Sequence, residues 1–155
     1  MTVTDIVTQL QTNLEGLHYH EQIPATPPAV GTVDGPPITY FDKVWIGMHD
    51  KIPQGTQQTS VIEVASNPSF YYTTCPTPEK DTDIYITIFS KGTTETANLA
   101  VYDMAEIVLT ELYADPKLTN TCIGSTVEEV IYGDMAGTTN KNLIAACRIT
   151  LRCRN

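Results

Sequence analysis

From Thr94 to Ala114 the chain runs for 21 residues without a glycine or a proline, and two separate apolar patches are written into that run. Thr93 or Thr94 can cap it, Glu95 lies in the first turn, and Pro116 stops it, so the segment reads as a long helix. Ala97, Ala100, Val101, Met104, Ile107, Val108 and Leu112 form one broad apolar face. Leu99, Tyr102, Leu109 and Tyr113 form a second patch on nearly the opposite side, broken by Asp103, Glu106 and Thr110. A helix lying on a sheet needs only one apolar face. The second patch therefore requires its own cover, either the N-terminal helix or a neighbouring subunit.

That N-terminal helix is signalled by Thr2 or Thr4 as N-cap and by Val3, Ile6, Val7, Leu10, Leu14 and Leu17 at helical spacings, ending near Gly16. Residues 22–37 then hold five prolines (Pro24, Pro27, Pro28, Pro36, Pro37) with Gly31 and Gly35, which predicts a long loop over 19–37. Alternation sets in at Ile38, Tyr40, Val44 and Ile46, returns at Val61 and Ala65, and returns again at Ile84, Ile86 and Ile88. The third run is apolar or aromatic on both faces and belongs inside a sheet. A second long loop is expected at 67–82, around Pro68, Pro76, Pro78 and the cluster Phe70-Tyr71-Tyr72.

After Asp115-Pro116 the chain returns to strand with Val127, Ile131 and Tyr132, and Gly133 to Asn140 suits the tip of a hairpin. In the closing strand Leu143, Ala145, Cys147, Ile149, Leu151 and Cys153 point one way. Ile144, Ala146, Arg148, Thr150, Arg152 and Arg154 point the other, giving an exposed final strand with a basic side. The element order α-β-β-β-α-β-β implies one α+β domain over 1–155: a mixed, mainly antiparallel sheet with two helices packed on one face.

Nine Lys and Arg stand against eighteen Asp and Glu, a formal net charge of −9, which argues against a protein that grips nucleic acid by neutralising phosphates. No apolar run approaches the roughly 20 residues of a membrane span, and the first residues lack the pattern of a signal peptide, so a soluble, unexported chain is expected. The four cysteines are too scattered for a disulfide framework. Cys147 and Cys153, six apart on one strand, cannot reach each other, and reduced, partly buried thiols are expected. His18, His20 and His49 have no periodic third ligand, so no metal is assigned. Neither a nucleophile elbow nor a phosphate-binding glycine loop is present, and Glu128 and Glu129 should lie on opposite faces of a strand. No catalytic residue, cofactor or enzymatic activity is assigned.

Contact surfaces are the better candidates. All three arginines, Arg148, Arg152 and Arg154, fall within the last eight residues, which favours contact with an acidic surface such as a sister subunit. Phe70, Tyr71 and Tyr72 either pack back under their loop or meet a protein partner.

The order of these parts resembles the tail-terminator, or tail-completion, proteins of long-tailed bacteriophages. The likeness rests on the N-terminal helix, the Pro-rich stretch, Ile84-Tyr85-Ile86-Thr87-Ile88 leading into the long helix, and Leu112-Tyr113-Ala114-Asp115-Pro116-Lys117-Leu118 at its exit. It continues through Val130-Ile131-Tyr132-Gly133 to the closing Leu151-Arg152-Cys153-Arg154, with 67–82 as an insertion. The resemblance implies a virion subunit, assembled in the host cytoplasm, that closes into a hexameric ring at the tail–neck junction. There it would stop polymerisation of the tail tube protein and meet a neck or head-completion protein. Six copies at −9 each would carry −54, so DNA would pass the lumen without being held. A head-completion or stopper protein is a second reading, and a small-molecule-binding α+β domain a third.

Overall fold

The computed structural model describes residues 2–47, 58–65, 70–72, 79–92, 94–135 and 143–154. Two helices, α1 (Val3–Gly16) and α2 (Thr94–Ala114), accompany eight strands: β1 (His18–Pro24), β2 (Thr32–Thr39), β3 (Lys43–Ile46), β4 (Gln58–Val64), β5 (Phe70–Tyr72), β6 (Glu79–Gly92), β7 (Gly124–Met135) and β8 (Leu143–Arg154). The main sheet runs β3-β4-β6-β8-β7, with β5 also paired to β6, and only the β3–β4 pair is parallel. This is the expected α+β fold, with more strands than the sequence displays.

Thr2 caps α1 through a reciprocal pair: the Asp5 N–H donates to Thr2 Oγ1 at 3.2 Å, and the Thr2 N–H donates to Asp5 Oδ2 at 2.8 Å. Those hydrogen bonds hold the Asp5 carboxyl below its ordinary value. Ile6, Val7, Leu10 and Leu14 turn inward over β3 and β4, while Ala97, Val101, Met104, Ala105, Val108 and Leu112 of α2 turn inward over β6 and β8. Both sets join one buried cluster with Val44, Ile62, Ile84, Ile86, Ile88, Cys147, Ile149 and Leu151, so the helices share one face of the sheet. The register Ile62↔Ile86↔Ile149 stacks three isoleucines side by side across β4, β6 and β8. Burying each such side chain is worth about 1.5–3 kcal/mol.

Several expectations are corrected. The loop at 19–37 is an antiparallel ribbon: β1 and β2 pair from His18↔Thr39 to Pro24↔Thr32. A two-stranded ribbon has one free side on each strand, and prolines sit there without breaking a ladder bond. A register shift between His20 and Gln22 brings the Glu21 carbonyl oxygen to 2.9 Å from where a Cβ on Gly35 would lie, which is why that position tolerates only glycine. The alternating run 38–46 is broken by a bend at 40–42, where Phe41 turns into the core and Asp42 Oδ2 accepts the Gln58 N–H at 3.0 Å. The loop at 67–82 is shortened from both ends, because Phe70–Tyr72 pairs with 79–81 as β5 and β6 begins at Glu79.

The closing strand is not at the sheet edge. β8 is bonded to β6 on one side and β7 on the other, leaving β7 at that edge of the sheet and β3 at the opposite one. Its apolar side does face the helices, with Ala145, Cys147, Ile149, Leu151 and Cys153 buried. Between Val127 and Glu129 the β7 register shifts, and the two glutamates do not take opposite faces. Glu128 reaches Arg152, and Glu129 lies opposite Thr150 on the same open face.

The helix exit has its own architecture. Leu118, Thr119 and Asn120 all adopt the left-handed conformation, with φ of 47°, 56° and 64°, a sequence of conformations that costs L-residues energy. Asp115 holds the turn: its carboxylate accepts the Thr119 N–H and, at 3.1 Å, the Thr119 hydroxyl, while its carbonyl accepts the Leu118 N–H at 3.1 Å. Leu118 is buried in the core cluster, which anchors the turn from the other side. The sequence Asp115-Pro116-Lys117-Leu118 thus ends a helix and aims the chain at Cys122.

Candidate functional site

Among the described residues, three surfaces remain once the core is closed. The first is the outer side of α2. Leu99 is 54% exposed, Tyr102 45% and Tyr113 68%, whereas Leu109 is drawn in against the edge of the core. α1 lies over β3 and β4 and does not bury this patch. Tyr102 instead meets Tyr132 of β7 edge-to-face, with ring centres 5.2 Å apart, so the apolar surface continues from the helix onto the sheet edge. Burial, together with nearby Cys147, Glu106 and Tyr102, pushes the Tyr132 phenol up from its ordinary value. Asp103 and Glu106 flank the patch and make it acidic.

The second surface is the sheet face that no helix covers. The β6–β8 register sets Asp83 opposite Arg152 and Asp81 opposite Arg154. Arg152 donates from Nε to Asp83 Oδ1 at 2.8 Å and from Nη2 to Oδ2 at 3.1 Å, a two-pronged pair, and its Nη1 lies 3.6 Å from Glu128. Those carboxylates raise the Arg152 pKa, with the Asp83 hydrogen bonds the leading cause. Arg154 donates from Nε to Asp81 at 3.1 Å. An open depression lined by Asp81, Gly124, Thr126, Glu128, Arg152 and Arg154 therefore holds charges already engaged within the chain. Arg148 differs from its two neighbours: it stacks over the Tyr85 ring at 4.8 Å. Lys43 stands over Trp45 at 5.6 Å on the same face. The sequence separates Lys43 from Trp45 by the two-residue period that puts both on one face, but nothing local pairs Arg148 with Tyr85.

The third is the β1–β2 ribbon, which exposes Tyr19, Ile23 and Val33 and carries Val30, 99% exposed, at its turn. His18 and His20 do share one side, ring centres 5.3 Å apart, and each Nδ1 is bonded to a carbonyl oxygen, of Gly16 at 2.7 Å and of Gly35 at 2.6 Å. Among the described residues no group of three or more His, Cys, Asp and Glu could hold a metal ion, and no helix is long and apolar enough to cross a membrane. His49 lies outside the described residues, as do the side chains of Phe70, Tyr71 and Tyr72, whose backbone forms β5.

The thiols Cys122, Cys147 and Cys153 are free and buried. Burial pushes Cys147 up to about 11 and raises both other thiols as well. Compared with protein-family models and with curated protein sequences, the chain matches none.

Proposed function

We propose that this chain is a structural subunit that closes head to tail into a ring and acts by shape. Its order of parts, similar to that of the phage tail-terminator proteins, makes a six-membered ring at the end of a tail tube the specific form of that reading. One observation carries it: a chain with a complete core still leaves Leu99, Tyr102, Tyr113 and Tyr132 in solvent as a continuous apolar surface. Asp103 and Glu106 beside that surface disfavour packing it on its own copy, which would set acid against acid. A different, cationic surface suits it better, and the open sheet face offers Arg148 over Tyr85 and Lys43 over Trp45. Two unlike surfaces on one chain generate a ring wherever the rotation closes.

Light scattering after size exclusion, followed by negative-stain images, tests this. Six copies of a 17.1 kDa chain give rings near 103 kDa. The double substitution of Leu99 and Tyr113 to Asp should return a folded monomer. Arg148→Glu should weaken assembly at low salt first, since Arg152 and Arg154 are bound to Asp83 and Asp81 within the chain. A monomer at high concentration in the unsubstituted chain overturns the reading.

A further inference from the structure

Two histidines on the ribbon are prepared in the same way. His18 and His20 stand two residues apart on β1, a spacing that puts both side chains on one face of a strand, and every residue of β1 is exposed. A backbone carbonyl orients each ring. Nδ1 of His18 lies 2.7 Å from the Gly16 carbonyl oxygen, and Nδ1 of His20 lies 2.6 Å from that of Gly35. A carbonyl oxygen only accepts, so Nδ1 is the donor in both rings, and in the neutral imidazole Nε2 keeps its lone pair. Histidines that ligate metals are held in this manner, with the second ring nitrogen donating to a carbonyl or carboxylate that fixes the tautomer. The two anchoring carbonyls lie at opposite ends of the pair. Gly16 precedes His18 in the chain, while Gly35 falls beyond His20 on β2, since His20 pairs with Pro37 and Gln22 with Asp34.

We propose that His18 and His20 form a two-point chelate for a borderline divalent transition cation, zinc or copper(II), bound through both Nε2 atoms with water completing the shell. The spacing of the rings fits one shared ion. With metal–nitrogen distances of about 2.0–2.1 Å, two imidazoles at a tetrahedral angle hold their ring centres roughly 5 Å apart. The centres of His18 and His20 are 5.3 Å apart, with the ring planes at 82°. Nitrogen donors select zinc, copper and nickel over calcium and magnesium, which take oxygen ligands. Among the described residues no group of three His, Cys, Asp or Glu converges, so the chain supplies two ligands and the ion stays open to solvent and exchangeable. Because the rings are tied to Gly16 at the end of α1 and to Gly35 on β2, a bound ion would brace the start of the ribbon. It would stabilise the folded ribbon by mass action.

The experiment uses the whole chain, labelled with nitrogen-15 and titrated with zinc chloride while the imidazole nitrogens are followed by NMR. The expected result is a concerted shift of Nε2 in both His18 and His20, with Nδ1 keeping its proton in each. Calorimetry should show zinc affinity falling roughly tenfold or more in His18→Ala and in His20→Ala, since even the supporting partners of a metal ligand are worth that much. It should be unchanged in His49→Ala. Copper(II) should bind more tightly than zinc, and excess magnesium should not displace either. Both histidines are exposed, so the variants should keep the helical circular dichroism of the unsubstituted chain; the NMR titration needs no variant at all. The proposal is overturned if zinc moves only one of the two rings or neither, if it binds through Nδ1, or if the affinity of either alanine variant matches that of the unsubstituted chain.

Discussion

The two faces of the main sheet are built from the same strands and follow different rules. On β6, Ile84, Ile86 and Ile88 point to the helices and are fully sealed, while Asp83, Tyr85, Thr87 and Phe89 point to the open face and are only half-buried. The covered face is apolar but for the buried Ser60, Thr82 and Ser90, and it holds the molecule together. The open face is a mosaic of carboxylate–arginine pairs and cations stacked on aromatic rings, none of which needs a second layer of this chain. Stability is therefore concentrated on one face, and the capacity for contact on the other face and on the outer side of α2.

The sharpest way to break that contrast is to cut into the covered face. Ile86→Ala removes the middle of the isoleucine row and should cost about 2–5 kcal/mol, read as a fall in the urea midpoint. Next in size is the helix exit. Asp115→Ala frees the donors of a turn already in unfavourable backbone conformations and should cost about 1–2 kcal/mol by the same measurement. On the open face, Asp83→Asn breaks the two-pronged pair with Arg152, which solvent partly screens, and about 0.5–1 kcal/mol is expected. A loss as large as that of Ile86→Ala would mean that the open face is a second core.

Acid titration gives a smaller and pH-confined effect. The Asp5 carboxyl is held below its ordinary 3.8, so its contribution is fully present above that value and is lost as pH falls through its lower folded value. In Asp5→Asn the helical circular dichroism should lose its sensitivity to pH in that acid window, with little change at neutral pH. Smallest of all, Leu99→Ala and Tyr113→Ala should leave stability within about 0.5 kcal/mol, because both side chains are already in water. A marked fall in ring formation with unchanged unfolding would separate contact from stability on α2.

The lesson about prediction follows from how local each signal was. Both helices were legible, α1 with its cap left between Thr2 and Thr4, since Thr2, Pro116 and the 3.6-residue spacing of Ile6, Leu10 and Leu14 act within one chain segment. The ribbon was hidden by its prolines, which mark loops in a central strand but sit without penalty on the free sides of a two-stranded pair. The bulge after Val127 was invisible for a related reason, because alternation assumes unbroken register. Of the candidate contact residues, Leu99, Tyr102 and Tyr113 stayed in solvent as their position on the helix required. The three arginines looked equivalent in the chain but were sorted by pairing into two held by Asp83 and Asp81 and one stacked on Tyr85.

By itself, the sequence determined the fold class, the apolar faces of both helices, β6 and β8, and the presence of a helix with more apolar surface than one sheet can cover, because these depend on spacing along a single segment. Only the tertiary structure decided that β8 is interior and that Glu128 turns toward Arg152. Those outcomes depend on strand register, which brings together residues that no local period connects.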